Sequence, residues 1–146
     1  MRVYLDNCAL NRPFDSQEYL RIRLETEAKL AIQQRIRDGK FELVWSYIID
    51  FENRANPFQE RKDAVRRWKL RASFDIGETD EVLAVANSIG RLGVKSKDSL
   101  HVACAIEAKC DYFITTDVGI LKRKDAISGV GVRNPVDFVR EVFNED

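Results

Sequence analysis

Arg2-Val3-Tyr4-Leu5-Asp6 and Tyr112-Phe113-Ile114-Thr115-Thr116-Asp117 are short runs rich in aliphatic and aromatic residues, each ending in a carboxylate. A third run, Phe41-Glu42-Leu43-Val44-Trp45, is followed by Ser46 and a helical pattern that carries Glu52. Such runs read as strands, and the segments between them read as helices. Strands alternating with helices predict a mostly parallel sheet of four or five strands covered on both faces, a three-layer α/β/α sandwich. In that architecture ligands bind in the crevice outside the carboxyl ends of the strands.

Working outward, Asn7 to Asp15, with Pro13, reads as a loop. Ser16 is the expected N-cap of a long helix stopped by Gly39, with Leu20, Leu24, Ala28, Ala31 and Ile32 as its apolar stripe. Ser46 caps a short helix, Tyr47 to Arg54, that Asn56-Pro57 breaks. Gln59 to Ala72 is strongly basic, with Val65, Trp68 and Ala72 on one side. Trp68 is expected to pack inward and leave Arg61, Lys62, Arg66, Arg67, Lys69 and Arg71 on a wet face. Phe74-Asp75-Ile76 reads as a small edge strand. Thr79 opens a helix ending near Gly90 or Gly93, and Ser96 is expected to cap another. A short helix through Ile120-Leu121, a strand Val130-Gly131-Val132 and a helix from Pro135 complete the chain. No repeat or interdomain linker interrupts residues 1–146, which read as one domain.

The chain has 24 basic and 24 acidic residues and a net charge of zero, which argues against a generic polyanion binder; an acidic site can still mask a basic rim in that sum. Hydrophobic residues make up 45% and charged residues 33%, which fits a globular protein and not a disordered one. Cys8, Cys104 and Cys110 form no CxxC pair and accompany a single histidine, His101, so neither a disulfide framework nor zinc-finger spacing is visible. All three thiols are expected in the core. Polar residues follow the first strand at once, and no apolar run approaches the ~20 residues of a membrane span. A soluble, cytoplasmic protein with no membrane partner is the expectation.

Four acids fall on one expected edge: Asp6 and Asp117 at strand ends, Glu52 in the second turn after Ser46, and Asp98 at the start of a helix. Carboxylates crowded together repel unless a cation lies between them. Mg²⁺ or Mn²⁺ matches such hard oxygen ligands and supports phosphodiester hydrolysis, with two ions typically about 3.5–4 Å apart in two-metal sites. Asp6 and Asp117 are the expected central ligands; Glu52 and Asp98 complete the set, partly through waters. Each acid also has a purely structural reading. Asp98 suits a helix N-terminus, Asp117 can cap a turn, Asp6 can end a strand, and Glu52 can be a solvated charge. Their shared edge favours the metal site.

Around them, Asn7 is placed to hold a metal-associated water or to cap a turn, and Thr116 to meet phosphate or to cap. Arg12, Arg54, Lys95, Lys97 and Lys122 lie near the same edge and are candidates for phosphate contacts that position a strand without reading its sequence. His101 lies one turn from Asp98; a lone helix histidine is more often structural, and it is assigned no catalytic role.

The ordered set Val3-Tyr4-Leu5-Asp6-Asn7, Ser46 with Glu52, Lys97-Asp98-Ser99-Leu100-His101-Val102-Ala103-Cys104-Ala105, Asp111 to Asp117 and Val132-Arg133-Asn134-Pro135 resembles the signature of the PIN-domain family over nearly the whole chain. The resemblance implies a PIN-like fold and a Mg²⁺- or Mn²⁺-dependent ribonuclease acting on single-stranded RNA. The family is best known for VapC-type toxins paired with small antitoxin proteins, and its domains commonly form homodimers. It implies that Asp6, Glu52, Asp98 and Asp117 are the catalytic metal ligands and that Thr115 is a supporting polar residue behind them. Two features depart from the common toxin pattern: Asn7-Cys8 follows the first acid, and the Asn56–Ala72 segment is longer and more basic. Other α/β functions fit less well. No GxGxxG follows the first strand, and Cys8 stands where a dehalogenase-like phosphatase has a second Asp. The paired acids of a receiver domain are missing at the first strand end. The rival from another class is a PIN-like module that binds RNA or protein without cleaving.

Overall fold

The structure is a computed structural model that describes residues 1–143; residues 144–146 of the expected domain lie outside the described residues. Five strands form one sheet: β1 (Arg2–Leu5), β2 (Glu42–Ser46), β3 (Ala72–Ile76), β4 (Tyr112–Ile114) and β5 (Gly131–Arg133). Their order is β3-β2-β1-β4-β5, and every pair is parallel. The α/β architecture is therefore as expected, with all five strands parallel.

Burial on both faces explains the strand sequences. Val3, Tyr4 and Leu5 of β1 and Leu43, Val44 and Trp45 of β2 are fully or almost fully buried, so they read as continuous apolar runs. β3 is the edge strand expected around Phe74. Ala72, Phe74 and Ile76 are half-buried while Ser73 and Asp75 are exposed, the period-2 pattern of a strand covered on one face.

The helices are α1 (Asn7–Asn11), α2 (Leu20–Arg37), α3 (Tyr47–Arg54), α4 (Gln59–Lys69), α5 (Asp80–Gly90), α6 (Ser96–Glu107), α7 (Val118–Leu121) and α8 (Pro135–Val142), with a 3₁₀ turn over Arg12–Phe14. Three expectations are corrected. The Asn7–Asp15 loop is helical in its first part, because the Asp6 carboxylate accepts the Ala9 N–H at 3.0 Å and starts a turn. Ser16 does not cap α2; Tyr19 holds that position without a side-chain cap, and Ser16 Oγ accepts from the Glu18 amide. Ser96 is the first residue of α6 and not its cap, which falls to Lys95.

The face of α2 is also rotated from its expected stripe. Leu20 and Leu24 are exposed, whereas Glu25, Thr26, Ala28, Lys29, Ile32, Gln33 and Ile36 are buried. Specific polar partners override the apolar pattern at one end, since Glu25 lies 3.0 Å from the Arg12 guanidinium and accepts from the Asn134 amide. Elsewhere the local signals hold. Ser46 Oγ accepts the Ile49 N–H, Thr79 Oγ1 accepts the Val82 N–H, Gly39 ends α2 at φ +75°, and Pro135 occupies the first turn of α8.

Candidate active site

The strand order creates the site. From β1 the chain adds β2 and β3 on one side, then crosses to place β4 on the other. The crevice where the direction reverses, between the carboxyl ends of β1 and β4, is the topological switch point where open parallel sheets bind ligands. Asp6 follows β1 and Asp117 follows β4, so the two flank that crevice. Glu52 comes from α3, which leaves the carboxyl end of β2. Asp98 sits in the first turn of α6, whose far end leads into β4.

Asp6 is the buried member, 2% exposed. One oxygen accepts the Ala9 amide, and the other accepts the Thr115 hydroxyl at 2.6 Å. Burial drives its pKa up to about 6, helped by the Asp98 charge and opposed by His101 and by the hydrogen bonds from Thr115 and Ala9. Thr115 is fully buried and also accepts the Asp117 amide at 3.0 Å, which ties the two strand-end acids together.

Asp98 is half-buried, and its pKa is raised by burial first and then by Asp117 and Glu52. The Cys8 thiol is pushed up as well. Desolvation by surrounding atoms is the larger cause, followed by the charges of Asp6, Asp117, Asp98 and Glu52. All four acids thus lie within electrostatic reach of one atom. Cys8 is exposed, which corrects its expected place in the core; Cys104 and Cys110 are buried.

The capping reading of Asp117 is realised: its Oδ1 caps α7 through the Gly119 and Ile120 amides, and Oδ2 takes no part in that cap. Asn7 donates to the Ile49 carbonyl at 3.3 Å, while its Oδ1 is buried with no partner among the described residues. A buried acceptor without a donor, at the edge where neighbouring acids help to raise the Asp6 and Asp98 pKa values, fits a hard cation or a water attached to one. Among the described residues, no three His, Cys, Asp or Glu side chains form a ready-made metal cage. The side chains at this edge are oxygen donors, the ligand chemistry that a hydrated ion of the Mg²⁺ type takes.

The residue passed over in the sequence is His101. It is 1% exposed and joins a buried chain: Tyr4 Oη lies 2.6 Å from both Ser46 Oγ and His101 Nδ1, and His101 Nε2 bonds Glu52 Oε1. Tyr4 also stacks on Phe113 with ring centroids 5.2 Å apart. The histidine thus orients Glu52 from behind. Its sequence signal was spacing alone, three residues after Asp98 on the same helical face.

The basic candidates separate. Arg12 is engaged inward, 2.9 Å from Asp15 and 3.0 Å from buried Glu25, the latter without hydrogen-bond alignment. Arg54, Lys95, Lys97 and Lys122 are exposed; Arg54 reaches the Asp50 carbonyl, and Lys97 lies 5.3 Å over the Phe51 ring. Thr116 is buried and lines, with Asn7, Cys8, Asn11, Arg12 and Asp15, a cavity of about 380 Å³ beside the acids.

No protein-family profile matches the chain, and no curated protein matches it. Among solved structures the chain is similar to a chain of VapBC2 from Rickettsia felis, in a complex bound to a DNA fragment from their promoter. The identity is 13% and the TM-score 0.59, covering 92% of this chain and 98% of that one. At that identity the likeness concerns the fold: this is an all-parallel α/β protein with a PIN-like fold.

Proposed function

We propose that the chain is a metal-dependent endoribonuclease that cleaves single-stranded RNA, the activity that serves as the toxin of a toxin–antitoxin pair. The observation that supports this reading is that Asp6, Glu52, Asp98 and Asp117 lie along one edge of the sheet, where the Asp98 charge helps to raise Asp6 and all four charges act on the Cys8 thiol. A bound Mg²⁺ or Mn²⁺ would supply Lewis acidity toward a phosphate oxygen and lower the pKa of a water. Asp6 and Asp117 are the central ligands, with Glu52 and Asp98 completing the set.

The chain's own contribution is orientation. Thr115 and the Ala9 amide hold the Asp6 carboxylate, His101 holds Glu52, and the first turn of α7 holds Asp117. Asn7 presents an uncommitted Oδ1 to the same space. Arg54, Lys97 and Lys122, exposed on this rim, attract RNA phosphates. The fold shared with a component of a VapBC complex supports, by analogy, a small antitoxin partner. Pairing with a second copy is part of the same proposal. So is a cytoplasmic location; among the described residues no helix is long and apolar enough to cross a membrane.

The alternative is a PIN-like module that binds RNA or protein without cleaving. The Asp117 cap favours it, since that carboxylate already has a structural task. Incubation of single-stranded RNA with Mn²⁺ or Mg²⁺ separates the two. The proposal expects cleavage that EDTA abolishes and that Asp6→Asn and Asp117→Asn each reduce by at least about a hundredfold, since loss of a ligand exceeds the usual cost of disturbing a supporting residue. Cleavage that survives both substitutions sinks the metal mechanism, and failure to cleave any RNA leaves the binding module.

A further inference from the structure

A second polar cluster lies at the opposite edge of the sheet. α2 ends at Arg37 just before β2, and α4 ends at Lys69 just before β3, so their last turns sit by the amino ends of the strands, away from the acids. Arg37, Ala64, Arg67, Trp68, Leu70 and Arg71 line a surface cavity of about 610 Å³ there, and no acidic residue lines it among the described residues. The Trp68 ring carries the Arg37 guanidinium at 4.7 Å and the Lys29 ammonium at 5.9 Å from its centroid.

Helix C-termini favour basic side chains, and that dipole explains the arginines of the last turns. It does not explain Lys29 and Gln33, which lie further back along α2. Lys29, Gln33 and Arg37 are successive i, i+4 neighbours on one stripe of the helix. Lys29 is 4% exposed and Gln33 2% exposed. Gln33 Nε2 is a buried donor without an acceptor, and the Lys29 ammonium lies over the face of the Trp68 ring. Burial and then the Arg37 charge both oppose the Lys29 ammonium. Buried polar groups are normally satisfied. A cavity walled by three arginines and lined by no acid among the described residues, with the unmatched Gln33 amide one turn back from Arg37 on α2, calls for a ligand that only accepts.

We propose that this α2–α4 cleft binds a phosphate-class oxyanion, held by Arg37, Arg67 and Arg71 at the cavity wall with Lys29 and Gln33 as donors behind them. The planar guanidinium forks match phosphate oxygens. The source is either a small phosphoester or the phosphates of a nucleic-acid strand, and the same cleft serves both.

The test uses the whole chain in EDTA, which keeps the acidic crevice out of the readout. Pyrophosphate is titrated against tryptophan fluorescence and calorimetry, with sodium chloride at equal ionic strength as the control for screening. Arg37→Gln, Arg67→Gln and Arg71→Gln are each expected to weaken pyrophosphate by about tenfold, the effect of losing one charge-assisted hydrogen bond. Arg91→Gln, on α5's far end, is expected to bind as the parent does. Trp68→Phe should remove the fluorescence change while calorimetry still detects binding. A short DNA strand with and without a 5′-phosphate then distinguishes the sources: binding that needs the phosphate, or tightens with strand length, identifies nucleic acid, and pyrophosphate alone identifies a small phosphoester. Lys29→Met supplies a variant expected to fold at least as well as the parent and still lose affinity. Affinity unchanged in the three arginine variants, or no binding of pyrophosphate at millimolar concentration, overturns the proposal.

Discussion

Asp6 and Lys29 are buried charges of opposite sign at opposite ends of the sheet, and both make stability depend on pH. The Asp6 pKa rises from 3.8 to about 6 in the fold, so folding favours the neutral acid. Its contribution is most favourable below the unfolded value and is lost as pH rises through the folded one. A shift of about two units corresponds to about 3 kcal/mol. In EDTA, Asp6→Asn is therefore expected to be more stable than the parent by up to that amount at about pH 8 and nearly equal to it at about pH 4. Urea unfolding at both pH values checks this, and a difference independent of pH contradicts it. Lys29 shifts the other way, from 10.5 down to about 7, through burial and then Arg37. The cost of holding its charge is complete below the folded value and fades as pH rises toward the unfolded one. Lys29→Met should stabilise the protein by at most roughly 5 kcal/mol near pH 6 and by little near pH 10. Denaturation midpoints across that range read it directly. Neither burial was visible in the sequence. Asp6 stands out by its place after a strand, whereas no local feature of the sequence marks Lys29 as buried.

At the level of elements, cap chemistry was legible where the capping side chain had no rival partner. Thr79 and Ser46 bond the amides three residues on, as expected. Ser46 does more, because Tyr4 Oη also lies 2.6 Å from it at the head of the chain leading to Glu52. Thr79→Ala should cost about 1 kcal/mol, the usual worth of an N-cap. Ser46→Ala should cost about 2 kcal/mol, since it removes a cap and leaves a buried hydroxyl short of a partner. Equal losses in thermal or urea unfolding would show that the Tyr4 contact adds nothing. Ser16 and Ser96 stand near helix starts without capping them, for one reason. A serine before a helical pattern marks the neighbourhood of a start, but the first turn is set by what the helix packs against. For α2 that register follows Glu25, held by Arg12 and Asn134, residues distant in sequence.

For the whole molecule, the candidate site is a consequence of strand order. Asp6 and Asp117 are 111 positions apart in the chain and come to one edge of the sheet because β1 and β4 are neighbours. A cation bound among these acids couples to global stability by mass action. Mn²⁺ at a hundred times its dissociation constant should stabilise the parent by about 2.7 kcal/mol, and scarcely at all in Asp6→Asn or Asp117→Asn. Thermal unfolding with and without Mn²⁺ measures this without any RNA. An equal shift in all three proteins would place the ion elsewhere.

The alternation of apolar runs and helical stripes determined the α/β class and the carboxyl-edge placement of the four acids, because periodicity and strand ends are local properties of the chain. Tertiary structure alone decided that His101 backs Glu52, that Arg12 turns inward, that Gln33 keeps an unmatched buried amide and that Lys29 lies over the Trp68 ring. Each of these depends on which side chain faces which across elements far apart in sequence, and burial and pairing at that range leave no local pattern to read.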